Sequence, residues 1–154
     1  MNIRSYCATL LAMWPLLALA PLVDATSDYS YKSGEYVTVK HGKSPDGKYA
    51  IATHGPAENE KGEFRVYLMD AKVNKVIGPL LEITEVSYQD TAPLAYHASW
   101  SADSNFVTIS YRSDRRTISL VKYKIENRRA IRVKGPSPAS DKEAAALGWP
   151  DPDN

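Results

Sequence analysis

Beyond a polar stretch, TSDYSYKS, apolar and polar residues alternate with the two-residue period of strands whose side chains point to opposite faces. The pattern predicts strands over 35–41 (EYVTVKH), 49–53, 64–69 (FRVYLM) and 75–83, the last interrupted by Gly78-Pro79. A second set follows over 96–100, 106–111, 117–125 and 130–133. All are rich in β-branched and aromatic residues and separated by Gly, Pro, Asn and Asp, which favour turns. After them the period changes. Ser140-Asp-Lys-Glu143 spells a capping box before AAAL, and Gly148 stands where such a helix would end. One short helix is expected over 141–147, with Trp149 folded back onto the body.

Two turns share a phrase. SPDGKYAIATH at 44–54 and SADSNFVTISY at 101–111 align Ser44 with Ser101, Asp46 with Asp103 and Tyr49 with Phe106, an offset of 57 residues. In the first copy proline presets the second turn position and glycine accepts a backbone angle that other residues resist. The second copy loses both but keeps the serine and aspartate, whose side chains can bond nearby amides.

SPDGKYAIA followed by FRVYLMDAKVNKVI resembles one blade of the exported β-propellers of the Tol translocation system and the prolyl oligopeptidases. YHASWSADSNFVTISY with TISLVKYKIENRRAIRV resembles a second blade. Two blades cannot close a ring that needs about four to eight. The resemblance therefore implies an all-β domain over 35–134, built as two four-stranded antiparallel blade-like sheets, 35–84 and 95–134, packed face to face as a sandwich or a two-bladed propeller-like body. A homodimer could supply further cover. In size and strand count the chain is also similar to the periplasmic inhibitors of invertebrate-type lysozyme, which implies an inhibitory loop carrying Ser-Gly-x-Tyr. The corresponding loop here, 112–117 (RSDRRT), matches only at Ser113, and the literal SGEY lies at the opposite end, from Ser33 to Tyr36.

The ends place the domain. Arg4 precedes a run over 7–22 that is apolar apart from Thr9, and Val23 and Ala25 suit a cut after Ala25. This is the pattern of a secretory signal peptide over 1–25, followed by a polar segment at 26–34 and a tail at 135–154. Cleavage would remove Cys7, leaving no cysteine and no disulfide for a periplasmic or secreted protein, and no transmembrane span.

Chemistry is sparse. Ser119 and Lys122 have the S-x-x-K spelling of penicillin-recognising enzymes, but an offset of three puts them on opposite faces of a strand. His41, His54 and His97 are too dispersed to share an ion, and Asp151 and Asp153 have no loop to close around a cation. No glycine-rich loop opens a helix, so no nucleotide site is expected. No catalytic residue, cofactor or metal ligand is assigned, and a hydrolytic enzyme would need a site with no recognisable motif.

Charge is the stronger signal. The net charge is only +1, yet Arg112, Arg115, Arg116, Lys122, Lys124, Arg128, Arg129, Arg132 and Lys134 crowd one segment against Asp114 and Glu126. Alternation predicts that Lys122, Lys124, Arg132 and Lys134 gather on one face of a hairpin, beside the loop bearing Arg112, Ser113, Arg115 and Arg116. That implies a binding module for an anionic envelope component or a protein, with nucleic acid an unsuitable partner after export. The simpler reading is a solvated edge kept from aggregating by its cations.

Overall fold

The computed structural model describes residues 29–83, 92–114 and 117–149. The expected signal peptide, Arg115, Arg116 and the acidic end of the tail lie outside these residues. Eight strands form: β1 (Val37–Lys43), β2 (Tyr49–His54), β3 (Arg65–Asp70), β4 (Lys75–Pro79), β5 (Tyr96–Trp100), β6 (Phe106–Arg112), β7 (Ile118–Glu126) and β8 (Arg129–Pro138). A 3₁₀ turn, Pro93–Ala95, leads into β5, and α1 (Asp141–Ala146) follows β8. No helix among the described residues is long and apolar enough to cross a membrane.

The strands make one sheet, in the order β4-β3-β2-β1-β5-β6-β7-β8. This corrects the expectation of two separate four-stranded sheets and, with it, the propeller-blade reading. Neighbours pair antiparallel except at the centre, where β1 and β5 run parallel and Lys40 lies beside His97. Lys40 and His97 hold the same place in the two halves of the repeat, so the halves are joined edge to edge. The layout on which the likeness to the lysozyme inhibitors drew falls by the same finding.

The joined sheet curls into a half-barrel. Val39, Ile51, Val66, Leu68, Tyr96, Ala98, Val107, Ile109, Val121 and Tyr123 form one continuous buried cluster on its inner face. Curling lets the two halves cover each other, which a flat sheet could not do. It also brings distant strands near: Arg128 pairs with Asp70 at 2.9 Å, and the Tyr123 hydroxyl donates to Glu82 at 3.0 Å. On the outer face of the first half, Ala50, Ala52 and Met69 pack with Tyr36, Tyr67 and Val76 in a smaller cluster.

A bulge in β1 changes the phase between the halves. Thr38 faces Ala52 and Lys43 faces Ala50, so residues 39–42 of β1 stand against Ile51 alone. His41 takes a left-handed backbone there, with φ 55°. A slip of this kind reverses which side chains point inward. Ile51 therefore faces the core, whereas its repeat counterpart Thr108, paired with Lys122, faces out.

The two turn phrases fold alike. The Ser44 amide donates to the Tyr49 carbonyl and the Ser101 amide to that of Phe106, both at 2.9 Å. Ser44 and Ser101 hydroxyls donate to Asp46 and Asp103 at 2.7 and 2.6 Å. Each aspartate accepts an amide two residues on, from Lys48 or Asn105, at 3.1 Å. Where Gly47 has φ 68°, Ser104 has φ 59°, and its hydroxyl accepts the Asp46 amide at 3.1 Å, tying one turn to the other.

Candidate anion-binding surface

The β7–β8 hairpin starts at Asn127 and Arg128, both with positive φ, a geometry that matches the twist of paired strands. Along β7, Val121, Tyr123 and Ile125 are buried inward, so Lys122 and Lys124 both point outward. Lys134 is the register partner of Lys122 and shares that outer face. Arg132 does not. It lies opposite Tyr123, so it belongs to the other side of the strand, and its guanidinium donates to the Gly135 carbonyl at 3.3 Å. The expected four-cation face thus contains three.

The cause is irregular pairing. Register shifts fall between Leu120 and Lys122 and again between Lys122 and Tyr123, where β8 carries more residues than β7 opposes. Gly135 occupies the first, with φ 81°, and a Cβ there would fall on the Leu120 carbonyl oxygen. Val133 occupies the second, between the partners of Tyr123 and Lys122. Each shift breaks simple alternation.

The outer face mixes cations with apolar surface. Lys122 holds its ammonium 5.0 Å from the centre of the Phe106 ring, a cation–π placement. Lys124 pairs with Glu126 at 2.7 Å, which offsets its charge. Ile131 lies opposite Lys124 and is 45% exposed; Val133 is 49% exposed. Among the described residues neither Lys122 nor Lys134 has an ion pair. Lys134 does act on Glu143, whose carboxyl is held below the usual range first by the Ser140 amide, then by the Ser140 hydroxyl, with a smaller contribution from Lys134.

Lys122 and Lys134 directly oppose one another, an arrangement that destabilises a sheet. Edge protection explains Lys134 on the terminal strand β8. It does not explain Lys122, because β7 is paired on both sides.

The neighbouring loop has a structural task. The Ser113 amide donates to the Thr117 carbonyl at 3.0 Å, the Ser119 hydroxyl donates to Ser113 Oγ at 2.8 Å, and the Thr117 amide donates to Asp114 at 2.8 Å. Ser113 therefore closes the loop with its own polar groups. Arg112 sits 5.9 Å over the Trp149 ring.

Trp149 is held by α1. Ser140 and Glu143 form the capping box, and the helix ends with Gly148 at φ 79°, its amide donating to Ala145 and that of Trp149 to Ala144. This pair of hydrogen bonds is the Schellman ending that glycine permits. It lays the indole on His97, ring centres 4.3 Å apart, with Nε1–H donating to Ser110 at 2.9 Å. His97 also reaches the Leu147 carbonyl through Nδ1 at 3.2 Å, and burial pushes its pKa down, helped by Lys40 and His41. His54 is engaged elsewhere, at 2.6 Å from the Glu35 carbonyl and stacked on Tyr36. Among the described residues no cluster of His, Cys, Asp or Glu could hold a metal ion.

Phe106 and Ile131 were not singled out by the charge pattern. Phe106 sits one residue before an inward Val107, which marks it as outward-facing once the phase of β6 is known. Comparisons with known protein families, with curated proteins and with solved structures find no match.

Proposed function

We propose that this chain is an exported binding module that holds an anionic partner on the outer β7–β8 face, by contact and without a catalytic step. The observation that carries this reading is the opposition of Lys122 and Lys134 on adjoining strands, with no ion pair among the described residues, beside the exposed Ile131. Two like charges side by side cost stability in the free protein and gain it back against an anion. The apolar surface around them adds contact area, and the Phe106 ring orients the Lys122 ammonium.

The test is retention on a polyanionic matrix, dextran sulfate, across a salt gradient. Lys122→Gln/Lys134→Gln is compared with Lys75→Gln/Lys142→Gln, which removes the same charge from exposed positions on other elements. The face variant should elute at clearly lower salt than the control pair, since local charges act within a Debye length of about 8 Å at physiological ionic strength. Equal elution of the two variants would reduce the attraction to net charge and reject the face.

A further inference from the structure

The β1 bulge creates a second feature that the basic face does not use. A groove of about 490 Å³ opens where the bulge meets β5 and the end of α1. That volume lies within the range of small-molecule sites. Its lining divides by chemistry. Lys43 is exposed and brings positive charge, the exposed His41 adds an imidazole that can hydrogen-bond, Pro45, Trp100 and Leu147 are apolar, and Ser99 adds a hydroxyl. Among the described residues no carboxylate lines it.

Each of these side chains is placed by the backbone. The bulge brings His41 and Lys43 to the groove, and His41 is held there in a left-handed conformation that costs a residue other than glycine about 1 kcal/mol. Bulges recur where a side chain is redirected toward a site. Trp100 is fixed because its indole N–H donates to the Gly42 carbonyl at 3.0 Å. Leu147 is fixed by the helix ending and by the hydrogen bond its carbonyl accepts from His97 Nδ1. His97 itself lies beneath Trp149 and serves as floor, which leaves His41 and Lys43 as the groups free to meet a ligand.

We propose that this groove binds a small organic anion, a sulfonate or carboxylate on an apolar body, with the anionic group at His41 and Lys43 and the body against Trp100 and Leu147. The charge selects the anion, and the apolar lining selects against small inorganic ions, which would leave it uncovered. The site is independent of the β7–β8 face, so either can fail alone.

The probe is anilinonaphthalene sulfonate, an amphipathic anion, titrated by fluorescence beside the neutral dye N-phenylnaphthylamine. The variants are Lys43→Gln and His41→Asn, asparagine being tolerant of left-handed backbone. Loss of the charge-assisted hydrogen bond in Lys43→Gln should weaken the sulfonate about tenfold, and loss of the imidazole in His41→Asn should weaken it by a smaller factor. The neutral dye should bind all three proteins alike, and Lys122→Gln/Lys134→Gln should bind the sulfonate like the parent. Absence of saturable sulfonate binding, unchanged affinity in both variants, or an equal loss for the neutral dye would each overturn the assignment.

Discussion

Replacing Gly42 by alanine probes the bulge on which both the phase of the sheet and the groove depend. A Cβ at this position would lie 2.6 Å from the Ile51 carbonyl oxygen, 2.8 Å from Thr38 Cγ2 and 2.9 Å from the Val39 carbonyl oxygen. Two of these three atoms are backbone in paired strands and have little freedom to retreat. Overpacking of this kind costs about 1–3 kcal/mol. Moving residue 42 also weakens the bond its carbonyl accepts from the Trp100 indole, about 1 kcal/mol more. The expected loss is therefore about 2–4 kcal/mol. With an m-value of about 1.5 kcal/mol/M, the urea midpoint should fall by about 1–3 M. Tryptophan emission, followed in a Trp14→Phe/Trp149→Phe background so that Trp100 alone reports, should shift to the red in the folded variant. Gly47→Ala is the control: φ is 68° there but nothing lies within 4 Å, so only the backbone cost of about 1 kcal/mol applies. A Gly42→Ala protein within about 0.5 kcal/mol of the parent, with Trp100 emission unchanged, would refute the bulge as described.

Other expectations follow from the same contacts. Trp149→Ala removes the stack on His97, the bond to Ser110 and the Arg112 contact, and should cost about 2–3 kcal/mol in urea unfolding; a loss below about 0.5 would mean the tail does not dock. Asp46 is held below the usual carboxylate range chiefly by the Lys48 amide, and Asp103 chiefly by the Ser101 hydroxyl. Their contribution is complete above the unfolded value of 3.8 and is lost as pH falls below it, so Asp46→Asn/Asp103→Asn should flatten the acid limb of melting temperature against pH between 5 and 2. Burial pushes Tyr31 up to about 12 from 10.0, so its contribution is complete below pH 10 and fades from there through pH 12. Tyr31→Phe should be less sensitive to alkali over that window, and an unchanged alkaline limb would contradict the buried hydroxyl.

Strand positions were legible because two-residue alternation is a local property, and YAIATH or ISLVKYKIE shows it without help. The capping box at Ser140 and the glycine at 148 likewise announced a short helix. The joining of the halves was not legible. Its parallel contact rests on one register pair, Lys40 with His97, and nothing in either residue marks it. The face of Arg132 was misplaced for a related reason: alternation assigns sides only while pairing is regular, and β8 slips twice against β7. A signal existed at Gly42 and Gly135, since glycine inside a strand often marks a bulge. The groove escaped motif reading altogether, because His41, Trp100 and Leu147 meet only after the sheet and tail are in place.

The most direct test of the binding reading is a backbone-amide NMR titration of the protein with a sulfated oligosaccharide at low salt. Progressive, saturable shifts should concentrate on β7 and β8 around Lys122, Ile131 and Lys134, and should disappear in Lys122→Gln/Lys134→Gln. Shifts spread evenly over the surface, or clustered away from these strands, would contradict it.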